Sequence, residues 1–390
     1  MVGERLKLLR LARGLTMDAL AAAVGGLISK QAISKYELGK DVPSPRILTK
    51  LAAALGVKSV DLWREPTVRV ELIAYRKGSG LNKTEQRRVE SLVVESLERR
   101  VRLQELTNQA TDSDVPVKSL AVESLVASEQ AAKILRSRWR LGLDPIGSMT
   151  GILEDHLIHV IEIAANDKLD GVSAVAKERG KVRAAAVVSR QGLPGERQRF
   201  NLAHELGHLV MEVAPDVDEE KAAFRFAGAF LAPVEVIHRE VGKTRRAITG
   251  SELLLLKRSL GMSMQAILFR LRDLDIISEG HYRQWCVLIS KSGYRKMEPN
   301  LLPCETPTWL YRTVLRALTE GLMSKHDAER TLGSPMELPK SPLSLIEHKA
   351  FMALSVEQRR QRIGNEAKRL GGYYDGVVAR GELDVADTTA

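Results

Sequence analysis

The chain has 390 residues, enough for two or three domains with cores of their own. Its formal net charge of +10 favours a polyanionic partner such as nucleic acid. Its two cysteines, Cys286 and Cys304, form no CxxC pair, which excludes a disulfide framework and suits a reducing compartment. The apolar run ALAAAVGGLI (residues 19–28) is too short to span a membrane, and no dinucleotide or P-loop fingerprint is present, so a cytoplasmic protein without membrane contact is expected.

In chain order, residues 1–66 read as a bundle of short helices. Thr16 caps MDALAAAVG, Gly25 and Gly26 make a turn, Ser29 caps a helix that Gly39 stops, and RILTKLAAALGVKSVDLW follows as a helix, a turn and a short helical piece. Residues 67–127 read as a helical linker. Apolar residues at 89, 93, 97 and 101 mark one face of a long amphipathic helix with arginines opposite, Asn82 and Glu85 have capping-box spacing, and 107–119 are polar. Residues 128–280 are mixed. HLIHVIEI and VRAAAVVS are apolar runs of strand length, and RFNLAHELGHLVMEV (199–213) is helical. DEEKAAFRFAGAFLAP is a helix stopped by Pro233, and 251–280 are helical with a break at Gly261. Residues 281–390 are expected to be helical to about 371, with breaks near 303–307 and 335–342 and a frayed end. The fold class is therefore mainly α with a small β-sheet: an all-α N-terminal bundle, an α+β domain and a helical C-terminal extension.

A short helix, a tight turn and a second helix opening on small polar residues is the helix-turn-helix pattern. A second helix starting at Ser29 presents Lys30, Gln31, Ser34 and Lys35 outward. Gln pairs bidentately with adenine, Lys serves guanine or phosphate, and Ile33 packs inward. Residues 1–65 hold eleven Lys and Arg against six Asp and Glu, the footprint of a partner of double-stranded DNA. The stretch Arg5–Trp63 closely resembles the XRE-type, phage-repressor-like DNA-binding domain. The resemblance rests on Arg10, GLT at 14–16, Ser29-Lys30-Gln31-Ala32-Ile33-Ser34, Glu37, Gly39, Pro43-Ser44 and LAAALGV. It implies a structural pair between Glu37 and Arg10. Met17 stands where many relatives carry a phosphate-contacting Gln.

HELGH at 204–208 places His204 and His208 one helical turn apart, about 40° round the axis, so both imidazoles can share one Zn²⁺. Glu205 sits beside them, able to take a proton without ligating. A catalytic zinc needs a third protein ligand. Met211 and Ala214 occupy the positions where the metzincin form carries Gly and His, which excludes that class. Spacing leaves Asp216, Asp218, Glu219 and Glu220 open as acidic alternatives.

Residues 130–275 resemble the ImmA/IrrE family of metallopeptidases, through SRWRLGLDPI, ILED, DGVSA, ERQRFNLAHELGHL, EKAAFRFAGAFLAP and LLLLKRSLGMSMQAILFRLRDLDII. That resemblance implies a zincin-like fold, a Zn²⁺ cofactor and Glu220 as the third ligand. Phe224 stands where the family commonly has Asn. The resemblance to fusions of the two modules covers most of residues 1–335. It implies a DNA-binding regulator carrying a zinc endopeptidase that cleaves a repressor or antitoxin-like protein, in a stress or mobile-element response. The alternative is a non-proteolytic transcription factor or antitoxin whose zincin-like domain senses a ligand or binds a partner. The helix at 82–106 serves either a homodimer or packing within the chain. His238 and Arg225 read as surface residues, and His156 and His159 as flanking a strand without a metal role. The C-terminal segment, with its basic helix, Tyr373, Tyr374 and acidic end, resembles antitoxin-like tails; an extra packing helix is the alternative.

Overall fold

The computed structural model describes residues 2–75, 82–109, 116–164, 171–336, 354–362 and 364–365. Part of the polar linker and most of the antitoxin-like tail, Tyr373 and Tyr374 included, lie outside the described residues. The chain divides into two units, Met1–Ser334 and Pro335–Ala390. In the second, a short helix begins at Val356, headed by a reciprocal pair in which Ser355 and Gln358 each accept the other's backbone N–H.

The first unit opens with five helices: α1 (Val2–Ala12), α2 (Met17–Ala23), α3 (Lys30–Glu37), α4 (Pro45–Ala54) and α5 (Ser59–Trp63). Their starts are set locally. Thr16 accepts the Ala19 N–H at 3.0 Å, Ser29 that of Ala32 at 3.3 Å and Ser44 that of Ile47 at 3.4 Å, each removing one orphan donor of a first turn. Leu6, Leu9, Leu20, Ile33, Leu51, Leu55 and Leu62 form their core. Gly39 ends α3 in the left-handed conformation, at φ 67°. Arg10 fixes α1 to the end of α3. Its guanidinium donates to both carboxylate oxygens of Glu37, at 2.6 and 2.8 Å, and to the Leu15 carbonyl at 2.8 Å. The pair implied by the resemblance is therefore present and buried, side chains 7% and 3% exposed.

The next layer is made by β1 (Arg69–Tyr75), α6 (Lys83–Leu106), β2 (Leu120–Val122), α7 (Ala127–Arg138), α8 (Met149–Asp155), β3 (Ile158–Ile163), β4 (Val172–Glu178), β5 (Lys181–Arg190), α9 (Gly195–Val210), β6 (Met211–Val213) and α10 (Glu219–Leu231). The main sheet has the order β1-β4-β5-β3, antiparallel except for the β3–β5 pair. β2 and β6 form a separate parallel pair.

β5 is buried on both faces, which is why it reads as a continuous apolar run rather than an alternation. Ala184, Ala186 and Val188 belong to the core that holds Val89, Val93, Leu97 and Val101 of α6, while Ala185 and Val187 belong to the core that holds α9 and α10. The 89/93/97/101 stripe thus packs on the sheet. The segment expected as a helical linker contributes an edge strand, β1, and the helix that covers one face.

α6 also carries the N-terminal bundle. Glu98 accepts from Arg5 of α1, and Glu95 accepts from Arg13 and, at 2.8 Å, from Arg99. Burial of Glu95 opposes its ionisation, but the Arg13 hydrogen bond and the charges of Arg99 and Arg13 outweigh it and hold the carboxyl below its usual range.

The remaining helices are α11 (Val234–Glu240), α12 (Gly250–Leu260), α13 (Met264–Asp273), α14 (Glu279–Lys291), α15 (Trp309–Thr319) and α16 (Lys325–Leu332). Between α14 and α15 the chain passes over the start of α9. Leu302 accepts the Gly195 N–H at 2.9 Å, and Gln198 exchanges hydrogen bonds with the Glu305 backbone at 2.7 and 2.8 Å. A Cβ on Gly195 would stand 2.0 Å from the Pro303 carbonyl oxygen, so only glycine lets this strap approach. Glu305 also accepts from Thr150 at 2.6 Å and Met149 at 3.0 Å at the start of α8, and pairs with Arg199 of α9. No described helix is long and apolar enough to cross a membrane.

Candidate functional site

The helix of the HELGH motif ends just before Met211, which would have continued its apolar stripe. α9 stops at Val210, and Met211–Val213 turns into β6 beside β2. The chain then reverses, and Asp218 caps α10 by accepting the Lys221 N–H at 3.0 Å. That bond, together with the Lys221 side chain, holds the Asp218 carboxyl below its usual range. α10 packs along α9 at close range. A Cβ on Gly207 would lie 3.0 Å from the Phe226 ring and 3.4 Å from the Ala223 Cα. Gly207 weakens α9 as a helix by up to about 1 kcal/mol and in exchange lets the first turn of α10 reach the two histidines.

His204, His208 and Glu220 converge, with one donor atom from each lying within 4.8 Å of the others. The two Nε2 atoms are 3.1 Å apart. Glu220 oxygens stand 3.5 Å from His204 Nε2 and 3.4 Å from His208 Nε2. Donors bound to one tetrahedral Zn²⁺ at about 2.0–2.1 Å are roughly 3.4 Å from one another. The Nε2 pair is close to that figure, each imidazole has one of the two Glu220 oxygens near it at 3.4–3.5 Å, and two imidazoles with one carboxylate are a donor set of catalytic zinc, so the residues fit the ion. Both histidines are 3% exposed and Glu220 is 48% exposed, so the cluster sits where the core meets solvent.

The surrounding side chains orient the donors. His208 Nδ1 lies 3.4 Å from a Glu219 oxygen, which turns Nε2 towards the cluster. The His204 ring meets Phe224 edge-on at 4.6 Å. Glu205 is 2% exposed, and its carboxylate lies directly over Gly171, where a Cβ would stand 2.0 Å from Oε1 and 2.4 Å from Cδ. Gly171 immediately precedes β4 and clears the space for this carboxylate. Sequence reading passed over that role. It also offered Glu219 only as a ligand candidate, and gave no hint that Phe224 would face His204.

His204 and Glu205 line a cleft of about 790 Å³ whose other walls come from α10, α13, α14 and the strap. Arg225, expected on the surface, is instead in this cleft, paired with Asp273 and Glu129 at 3.3 Å each. His238 lies half-buried on α11 and is not part of the cleft wall. His156 stacks on Trp139 at 4.1 Å, and burial lowers its pKa. His159 is fully buried beside Trp309, with its pKa driven well below 6.5 by burial and by Arg100.

On the N-terminal bundle, Lys30, Gln31 and Lys35 are exposed on α3 and Ser34 is half-buried between them, while Ile33 faces the core. Lys30 Nζ is 3.5 Å from Asp18, an exposed and therefore weak pair. The four side chains expected to meet DNA thus share the outward side of one helix.

Comparison with known proteins agrees with both modules. Residues 6–62 match the helix-turn-helix family model, and residues 154–272 match the model of the IrrE N-terminal-like domain. Over 59 residues the chain is 42% identical to the SPbeta prophage-derived uncharacterized HTH-type transcriptional regulator YonR of Bacillus subtilis strain 168, covering 15% of this chain. The chain spans about half (53%) of that relative's length. No solved structure matches.

Proposed function

We propose that this chain, an XRE-type helix-turn-helix domain joined to an IrrE/ImmA-like domain, is a DNA-binding transcriptional regulator with a zinc-dependent endopeptidase. Its target is a repressor or antitoxin-like protein. The observation that carries the reading is the convergence of His204, His208 and Glu220, with one donor atom from each within 4.8 Å of the others, and Glu205 beside His204 on the cleft wall. His204, His208 and Glu220 would hold Zn²⁺, which supplies Lewis acidity and lowers the pKa of water towards about 7. Glu205 takes the proton of the attacking water on its carboxylate, held in place over Gly171, and returns it to the leaving amine. The buried surroundings of Glu205 keep bulk water from competing for that proton. The exposed face of α3 docks in the major groove, with Gln31 on a base edge and Lys30 and Lys35 on base or phosphate.

The test is metal removal and return. The full chain, stripped by a chelator, loses cleavage of a quenched-fluorescent peptide library and regains it on adding Zn²⁺, while binding of an operator-bearing duplex stays unchanged. Cleavage that survives complete zinc removal contradicts the proposal.

A further inference from the structure

The cleft beside the metal cluster holds more positive charge than its own carboxylates neutralise. Glu196 and Glu298 are both committed to the fully buried Lys257 ammonium, at 2.6 and 2.9 Å. Asp273 is committed to Arg225. Arg197, Arg272, Arg295 and Lys296 line the same space. Among the described residues, Arg197, Arg295 and Lys296 form no ion pair, and Arg272 has only Glu279, at 3.8 Å.

Arg272 is also held in a particular way. Its guanidinium carbon lies 4.4 Å from the Phe269 ring centre and 4.8 Å from that of Tyr282, two rings set edge-on 6.5 Å apart. Aromatic packing on a guanidinium fixes its plane while leaving the N–H edge for a planar acceptor, the arrangement in which arginine binds carboxylates with two parallel hydrogen bonds. A side-chain carboxylate is the smallest peptide group that fills this role, and the unpaired cations at the rim favour its approach.

We propose that this part of the cleft is a subsite for an acidic side chain of the peptide substrate, with Arg272 as the carboxylate-binding residue. The inference rests on the cleft being the peptide channel of the proposed endopeptidase, and it names that channel's preference. Glu279 is then a competitor for Arg272 that a substrate carboxylate displaces.

The experiment measures binding separately from cleavage. Three fluorescein-labelled decapeptides, amidated at the C-terminus and identical except that every polar position is Glu, Gln or Lys, are titrated by anisotropy into the zinc-loaded full-length Glu205→Gln protein. The Glu peptide is expected to bind about tenfold more tightly than the Gln peptide, with the Lys peptide weakest. Arg272→Glu is expected to reverse the order of the Glu and Lys peptides, a gain that a misfolded protein cannot show. Glu279→Gln is expected to tighten the Glu peptide up to about threefold. Equal affinities for the Glu and Lys peptides overturn the subsite. So do a preference that survives Arg272→Glu, no binding of the Glu peptide, or binding that appears only when the Gln peptide carries a free C-terminus. Cleavage by the wild type without an acidic preference sinks the subsite and leaves the endopeptidase standing. An acidic preference without cleavage does the reverse.

Discussion

On α3 the outward side chains Lys30, Gln31 and Lys35 are exposed, and the helix is held from behind by Ile33 and by Glu37 on Arg10. On α9 the central side chains His204, Glu205 and His208 are 2–3% exposed and sit within the core itself. In the first region, stability and recognition reside in different residues, so the surface can vary while the fold persists. In the second, the same side chains must pack, satisfy one another and converge on one point. Contacts such as Gly207 on Phe226 and Gly171 on Glu205 leave little room to move. The difference fits the proposed function: a duplex is read from outside in water, whereas moving a proton between one attacking water and a peptide nitrogen needs groups held in fixed positions.

This contrast is sharpest at Gly171. An alanine there puts its Cβ within 2.4 Å of the Glu205 carboxyl carbon and pushes the carboxylate out of position. Gly171→Ala is expected to retain one zinc per chain by elemental analysis while kcat falls by about 10²–10⁴-fold, the usual contribution of a general base. Unchanged kcat would mean that Glu205 is not held by this contact. On the N-terminal side the largest effect belongs to the support behind the helix. Arg10→Ala leaves a buried Glu37 carboxylate without its guanidinium and is expected to cost about 3–5 kcal/mol in denaturant titration of the bundle. A loss below about 1 kcal/mol would show the pair to be dispensable.

Smaller effects separate the regions further. Glu219→Ala removes the carboxylate beside His208 Nδ1 and is expected to weaken zinc affinity about 10–100-fold in competition with a chelator. Gln31→Ala is expected to lose about 1–3 kcal/mol of discrimination at one base pair, with the melting temperature unchanged. Lys35→Ala should weaken binding evenly across sequences and lower the salt slope by about one. If Gln31→Ala also unfolds the bundle, the separation of recognition from stability fails.

How much of this was legible in the sequence depended on how local the cause was. Thr16, Ser29 and Ser44 cap helices through atoms three residues away, and the Ala184–Val188 run is apolar because both faces of β5 are covered. Such features can be read from short windows. β1 escaped notice because Arg69 and Glu71 interrupt an edge strand whose partner, β4, lies a hundred residues on. β6 escaped because Met211 extends the helical apolar pattern past the point where pairing with β2 takes over. The stripe on α6 announced a covered face but not the sheet that covers it, nor Arg5 of α1 and Arg13 just beyond its end, which claim Glu98 and Glu95. At the cluster of His204, His208 and Glu220, spacing left four acidic residues open, because which carboxylate arrives is decided by the turn after β6 and by the gap at Gly207. Resemblance pointed to Glu220, and the fold brings its oxygens to 3.4–3.5 Å from the histidine nitrogens. Arg225 read as solvated because nothing near it in sequence reveals Asp273 and Glu129.

The most direct test counts zinc and new peptide N-termini in the same samples, with wild type and Glu205→Gln each incubated with a peptide library. The account predicts one zinc per chain in both proteins and new N-termini only with the wild type. Zinc absent from both proteins, or equal cleavage by the two, would contradict it.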